Sequence, residues 1–518
     1  MSPSTFRSSS AGTRPDREYP PAAANSHTTA PLWPPPSSPR TAAHTVRITL
    51  CGSRIRALVA ASVVALSVSV GTGVTAGFAG AERPPAIDAG LLPAGGPAAP
   101  PTETEHPPNA PCISTQTGGG GPTIPPAQRS LELEHAWRFS RGAGQLVAVI
   151  DTGVTPHPRL PGLIADGDYV AIGGDGTEDC DAHGTLVAGL IAATRVEGQG
   201  FAGVAPEARV LTIRQTSALY QAKGAGRDKG PDDMPDGYGK ISALASAVRR
   251  AADAGARVIN ISLVACPTAR PDSREFGMLG AAVQYAALEK DAVIVTSAGN
   301  TDTCRASNPG PDPLHPDRDP WDTVVSYVAP ALWDEYVLSV GSVDSFGQPS
   351  GFTVPGPWVG VAAPGENIVS LDPRNTGLTT AKFTRQGQLT PYSGTSFAAP
   401  YVAGVAALVR ARFPELRARE VIDRIQATAH APAEGWNPYI GYGAVDPVAA
   451  LTAEVPDQLP PKRSSAARSE QLPLPTPPPP PDTTARDTAL IGTGVIALLL
   501  TVGWLASFPL RRRLGTRD

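Results

Sequence analysis

Residues 146–150 read Leu-Val-Ala-Val-Ile, an apolar run with no polar residue at alternate positions. Successive side chains of a strand point to opposite faces, so a strand with one wet face alternates apolar with polar. A run without that alternation must be covered on both faces, the condition of a parallel strand between helical layers. Further strands are predicted at 210–213, 258–262, 293–295, 337–340 and 359–365, the last including its turn. Helical spacing separates them. Leu244, Val248 and Ala251 share one face, residues 281–288 and 420–428 read as helices, and 131–139 is a short helix with Trp137 inward. A longer helix follows Gly394 to about Phe413, with Phe397, Val402, Val405 and Leu408 on its buried side. The alternation predicts an α/β fold with a mainly parallel sheet between helices.

Three motifs sit at the ends of these elements. The run 146–150 ends in Asp151-Thr152-Gly153, which puts an acid at the carboxyl end of a strand. Asp181-Ala182-His183-Gly184-Thr185-Leu186-Val187-Ala188-Gly189 places a histidine where an apolar helix begins. Gly394-Thr395-Ser396-Phe397-Ala398-Ala399-Pro400 drops a serine at the mouth of the long helix. Helix N-terminal amides favour developing negative charge, and Gly394 admits a substrate backbone. Such a serine lacks only a base, which the other two motifs supply. Their order along the chain is Asp, His, Ser, the order of subtilisin and not of chymotrypsin or the α/β-hydrolases.

On these motifs the chain resembles the subtilases, and within them the mycosins, membrane-anchored proteases of actinobacterial type VII secretion systems. The resemblance covers residues 127–453 and implies a subtilisin-like three-layer fold. It implies a serine endopeptidase in which Asp151 orients His183, His183 takes the proton of Ser396, and Ser396 attacks a peptide carbonyl. Carried onto Ser297-Ala298-Gly299-Asn300, it makes Asn300 an oxyanion donor beside the Ser396 N–H. It implies that Ser262, Leu263 and Val264 form the edge that pairs with extended substrate. Many relatives carry Gly where this chain has Val264, which narrows that edge. The segment 441–446 resembles the closing signature of the fold. His157, between Pro156 and Pro158, is read as structural, since subtilases often carry a histidine after the Asp motif. His135, His315 and His430 lack a matching motif. No metal or organic cofactor is required, and no acidic run has the spacing of a calcium loop, although subtilases often bind structural calcium.

There are five cysteines. Cys51 falls in an export signal; Cys112, Cys180, Cys266 and Cys304 suit two disulfides in an oxidising compartment, with three pairings open to the sequence. The mycosin resemblance implies Cys112 with Cys180 and Cys266 with Cys304. It also implies that residues 82–126 form an N-terminal extension wrapping the peptidase domain, with Cys112 as tether. The glycines at 118–121 read as linker, because no Gly-Lys-Ser/Thr follows and no strand precedes them. The polar insertion 215–240 is read as a long structureless connection bordering the cleft or facing a partner.

The 57 prolines cluster before residue 130 and after 455, which sets extended ends against a folded middle. Residues 1–45 are expected to be a disordered leader or to precede the true start, near Val46. Residues 46–81 read as a signal peptide, with Arg47, Arg54 and Arg56 before an apolar stretch and Ala79-Gly80-Ala81 as cleavage site. Residues 454–487 form a proline-rich linker whose polyproline part, at ~3.1 Å per residue, spans on the order of 90 Å. Residues 488–510 lack charge over 23 positions, enough to span a membrane once. Arg511, Arg512 and Arg513 open the tail 511–518 and place it in the cytoplasm, leaving the enzyme outside the cell membrane. A net charge of −4 makes no electrostatic case for nucleic acid. The expected partners are protein or peptide substrates, the membrane, and a type VII secretion membrane complex. Two other readings are a structural cap on that complex and a general extracytoplasmic protease. A scaffold needs none of Asp151, His183, Asn300 and Ser396.

Overall fold

The computed structural model describes residues 83–225, 237–455 and 482–514, apart from 268, 305, 306, 313, 316 and 317. The leader, the signal peptide, the middle of the insertion and most of the proline-rich linker lie outside the described residues.

Seven strands make the central sheet: β1 (Leu146–Asp151), β2 (Ile164–Asp168), β3 (Arg209–Arg214), β4 (Val258–Ile261), β5 (Val293–Ser297), β6 (Val337–Val343) and β7 (Val359–Pro364). Their order is β7-β6-β5-β4-β1-β3-β2, and every neighbouring pair is parallel. The unbroken apolar run of β1 serves two cores. Val147 and Val149 pack into the layer holding α1 (Gly184–Ala192), α4 (Thr395–Arg412) and α5 (Ala418–Ala427). Ala148 and Ile150 pack on the opposite face, under α2 (Ile241–Asp253) and α3 (Arg274–Leu288). α4 is buried nearly all round, which is why its sequence has no polar stripe.

The structure departs from the sequence reading in several places. β2 was not anticipated, and its Ile-Ala-Asp-Gly-Asp sequence carries little apolar signal because it forms the sheet edge. α3 begins at Arg274, ahead of the expected start, despite Gly277 and Gly280. These glycines let neighbours close in: a Cβ would stand 2.6 Å from Leu91 at the first and 2.9 Å from Trp333 at the second. Of the short helix at 131–139 only Leu133–Ala136 is helical, although Trp137 does point inward and its Nε1–H donates to the Val204 carbonyl over 2.7 Å. The insertion is structured at its base. Thr216–Ser217 pairs with Tyr238–Gly239, and Gln221–Ala222 pairs with Thr104–Glu105 of the N-terminal extension.

That extension lies along the folded body. Thr115–Thr117 adds a strand to Leu378–Phe383, so a strand does directly precede the glycines at 118–121, too short at three residues to show in the sequence. Cys112 is bonded to Cys180. At the other end α6 (Thr484–Leu514) contains, at Thr484–Phe508, a helix long and apolar enough to cross a membrane. The expected span of 488–510 falls largely within it.

Candidate active site

β1 delivers Asp151 to its carboxyl end with the side chain fully buried. The Thr152 N–H donates to Asp151 Oδ1 over 2.8 Å, and His183 Nδ1 lies 2.7 Å from the same oxygen. His183 sits immediately ahead of α1, and its Nε2 is 2.9 Å from Ser396 Oγ. With the proton on Nδ1, the imidazole donates to the carboxylate and accepts from the hydroxyl. Burial pulls the His183 proton affinity down, but the Asp151 charge and hydrogen bond outweigh it and hold the pKa above the ordinary value. The Phe397 ring packs against the imidazole at 4.9 Å between centroids and limits its rotation.

Ser396 is the second residue of α4, so its N–H has no partner within the helix. Asn300, just past β5, accepts at Oδ1 from both the Thr395 N–H and the Thr395 hydroxyl, each over 3.0 Å. Those two bonds fix which way the amide faces and turn Nδ2 toward the serine. A Cβ built on Gly394 would lie 3.2 Å from Ser396 Oγ and 3.3 Å from Asn300 Nδ2. Only glycine leaves this space open to a carbonyl oxygen. The arrangement can remove a proton from Ser396 and hold negative charge beside it.

A cleft of about 310 Å³ opens on these groups, lined by Ser262, Leu263 and Val264 along one wall and by Asn300 and Ser396. Gly239 and Lys240, the end of the insertion, line it too, so the insertion borders the cleft. Val264 also packs against the core under α2 and α3. A disulfide between Cys266 and Cys304 fastens the segment after Val264 to the segment after Asn300. A larger cavity of about 410 Å³ around Trp436 and Pro438 contains none of these residues. His157 is buried apart from them. Its Nδ1 accepts from the Arg159 N–H over 3.1 Å, and its Nε2 faces the Gly377 carbonyl at 3.3 Å. Among the described residues no cluster of His, Cys, Asp or Glu is arranged to hold a metal ion.

The sequence reading missed Asp179. Its buried carboxylate accepts from the Thr152 hydroxyl (2.8 Å), the Thr185 N–H (2.8 Å) and the Thr185 hydroxyl (2.6 Å). The Gly184 N–H in turn donates to Thr152 Oγ1 over 2.9 Å. One carboxylate therefore ties the turn carrying Asp151 to the helix carrying His183. Its four-residue spacing ahead of His183 was the available signal, and nothing local sets it apart from Glu178 or Asp181.

The family model described as Subtilase family matches residues 142–443, from just ahead of β1 to past the last strand of the sheet. The chain belongs to the subtilase family, in its mycosin branch. Mycosin-4 of Mycobacterium tuberculosis (strain ATCC 25618 / H37Rv) is 43% identical over 470 residues, covering 89% of this chain and 98% of the relative. Among solved structures, the MycP3 protease from the type VII (ESX-3) secretion system superposes with a TM-score of 0.65 at 49% identity, covering 72% of this chain and all of that one. A chain of the intact ESX-5 inner membrane complex superposes with a TM-score of 0.67 at 42% identity, covering 82% of this subtilase and 100% of that chain.

Proposed function

We propose that Asp151, His183, Ser396 and Asn300 are the catalytic residues of this membrane-anchored serine endopeptidase. The observation that carries the assignment is the unbroken hydrogen-bonded chain from Asp151 Oδ1 through His183 to Ser396 Oγ. Ser396 Oγ attacks the peptide carbonyl as its proton passes to His183 Nε2. Asn300 Nδ2 and the Ser396 N–H receive the negative charge on the carbonyl oxygen. The proton then goes to the leaving amine, which departs and leaves an acyl ester on Ser396. Water repeats the sequence in reverse order and releases the acid. Throughout, Asp151 stays ionised and steadies the imidazolium. An extended substrate strand lies along Ser262, Leu263 and Val264, where main-chain hydrogen bonds hold it in register.

The enzyme domain faces outward from the cell membrane on helix α6, and it assembles with a type VII secretion membrane complex. The relative found in an intact ESX-5 inner membrane complex supports this reading. The test uses the full chain in detergent with a fluorophosphonate probe. Wild type should be labelled and Ser396→Ala should not. A folded wild type that takes no label would sink the enzyme assignment and favour a structural role in that complex.

A further inference from the structure

Asp151 and His183 come from separate elements, a strand end and a helix start, and a misplacement of about 1 Å between such groups costs on the order of a hundredfold in rate. What holds them together is a second carboxylate. Asp179 receives Thr152, the neighbour of Asp151, on one oxygen and both donors of Thr185, in the first turn of α1, on the other. The linkage continues outward at both threonines. Thr152 Oγ1 also accepts from the Gly184 N–H, and Thr185 Oγ1 accepts from the Thr155 N–H over 2.9 Å.

We propose that Asp179 is a positioning residue for peptide hydrolysis: its carboxylate sets the placement of Asp151 against His183, and its charge steadies the imidazolium formed when His183 takes the Ser396 proton. The inference rests on the catalytic assignment above. No proton reaches Asp179 in this scheme; the transfer is from Ser396 Oγ to His183 Nε2.

The electrostatic half is supported by the surroundings. No cation pairs with the Asp179 carboxylate among the described residues. The Arg374 guanidinium instead donates to the Asp179 and Cys180 carbonyls, at 2.7 and 2.9 Å. The other ionisable groups nearby are Asp151 on β1, Tyr392 after the small antiparallel sheet, and Asp181, which is turned toward Ser217 and the Ala218 N–H. Lys382 acts on His183 from the Leu378–Phe383 strand. Burial pushes the Asp179 carboxyl up to about 6, against its three hydrogen bonds, so it keeps its charge at neutral pH and takes up a proton at higher pH than an ordinary carboxyl. That charge in turn raises the His183 proton affinity.

The experiment follows the fluorophosphonate labelling rate of the full chain in detergent against pH, for wild type, Asp179→Asn and Thr185→Val. Asp179→Asn, shown folded by its melting curve, should label ten- to a hundredfold more slowly at neutral pH. Its acid limb should move to lower pH and follow a single proton, where wild type falls more steeply because His183 and Asp179 both protonate. A purely structural role would leave that limb in place. Thr185→Val removes the hydroxyl's bond to Asp179 and its bond from the Thr155 N–H, so it should label slowly. Because the first of these holds the Asp179 carboxyl down, the acid limb should move to higher pH, opposite to Asp179→Asn. This variant remains decisive if Asp179→Asn fails to fold. Wild-type rates and limb positions in the folded variants would overturn the inference while leaving Ser396 as nucleophile. An unlabelled wild type would remove both.

Discussion

Gly184 stands so close to Gly153 that a Cβ on the former would lie 2.1 Å from the carbonyl oxygen of the latter. These residues flank the histidine and the aspartate of the site, so the backbone contact fixes how near His183 comes to Asp151. A methyl group cannot fit between them, and the obstacle is main chain that cannot rotate aside. Gly184→Ala should therefore push α1 away from β1. The expected loss is on the order of a hundredfold in the fluorophosphonate labelling rate, with a lower melting temperature. A wild-type rate in the alanine variant would show that the contact does not position the pair.

The parts legible in the sequence were those with local signals. The sheet announced itself through residues such as Val147 to Ile150, because a strand covered on both faces needs apolar side chains at every position. Asp151, His183 and Ser396 stood out because each sits at an element end within two residues of a glycine. β2 was illegible for the opposite reason, since its edge position lets Asp166 and Gly167 stand in a strand. Thr104–Glu105 and Thr115–Thr117 are too short to show a period, and their partners lie more than a hundred residues away. Asp179 was invisible in its role because Thr152 reaches it only once the chain has folded. The start of α3 was hidden by Gly277 and Gly280, where packing overrides helix propensity.

Asn300 makes two kinds of contact with α4, and substitution separates them. Its Oδ1 accepts from Thr395 while its Nδ2 faces the reaction space. Asn300→Ala should lower peptide turnover by roughly a hundred- to a thousandfold. The substrate KM should change little, because the donor meets charge that exists only in the transition state. Steady-state kinetics on a cleaved peptide would check this, and a rise in KM at constant kcat would move Asn300 from oxyanion donor to substrate binder.

The His183 pKa lies above the ordinary imidazole value of 6.5. Protonated imidazole cannot accept the serine proton, so labelling should fall as pH drops, with its midpoint above that value. Asp151→Asn removes the nearby charge and should move the limb to lower pH, with turnover reduced by about ten thousandfold. The same raised pKa has a consequence for stability. The folded chain binds this proton more tightly than the unfolded one, so the contribution is complete below 6.5 and disappears as pH rises through the folded value. Melting temperatures across this range, for wild type against Asp151→Asn, should show the wild type losing its advantage from this pair as pH rises.

The bond between Cys112 and Cys180 joins residues 68 apart and anchors the N-terminal extension three residues before His183. Closing a loop of that length stabilises a fold by about 4 kcal/mol in the chain-entropy account. Replacing both cysteines with serine should lower the melting temperature. The effect on activity should be smaller, because Thr115–Thr117 still pairs with Leu378–Phe383 and Arg374 still donates to the Ile113 and Cys180 carbonyls. Those contacts keep the extension beside the His183 loop without the covalent tie. The double variant should therefore melt earlier while retaining most of its labelling rate below the melting temperature. Complete loss of labelling in a folded double variant would mean that the tether, and not the strand pairing, holds the loop in its working position.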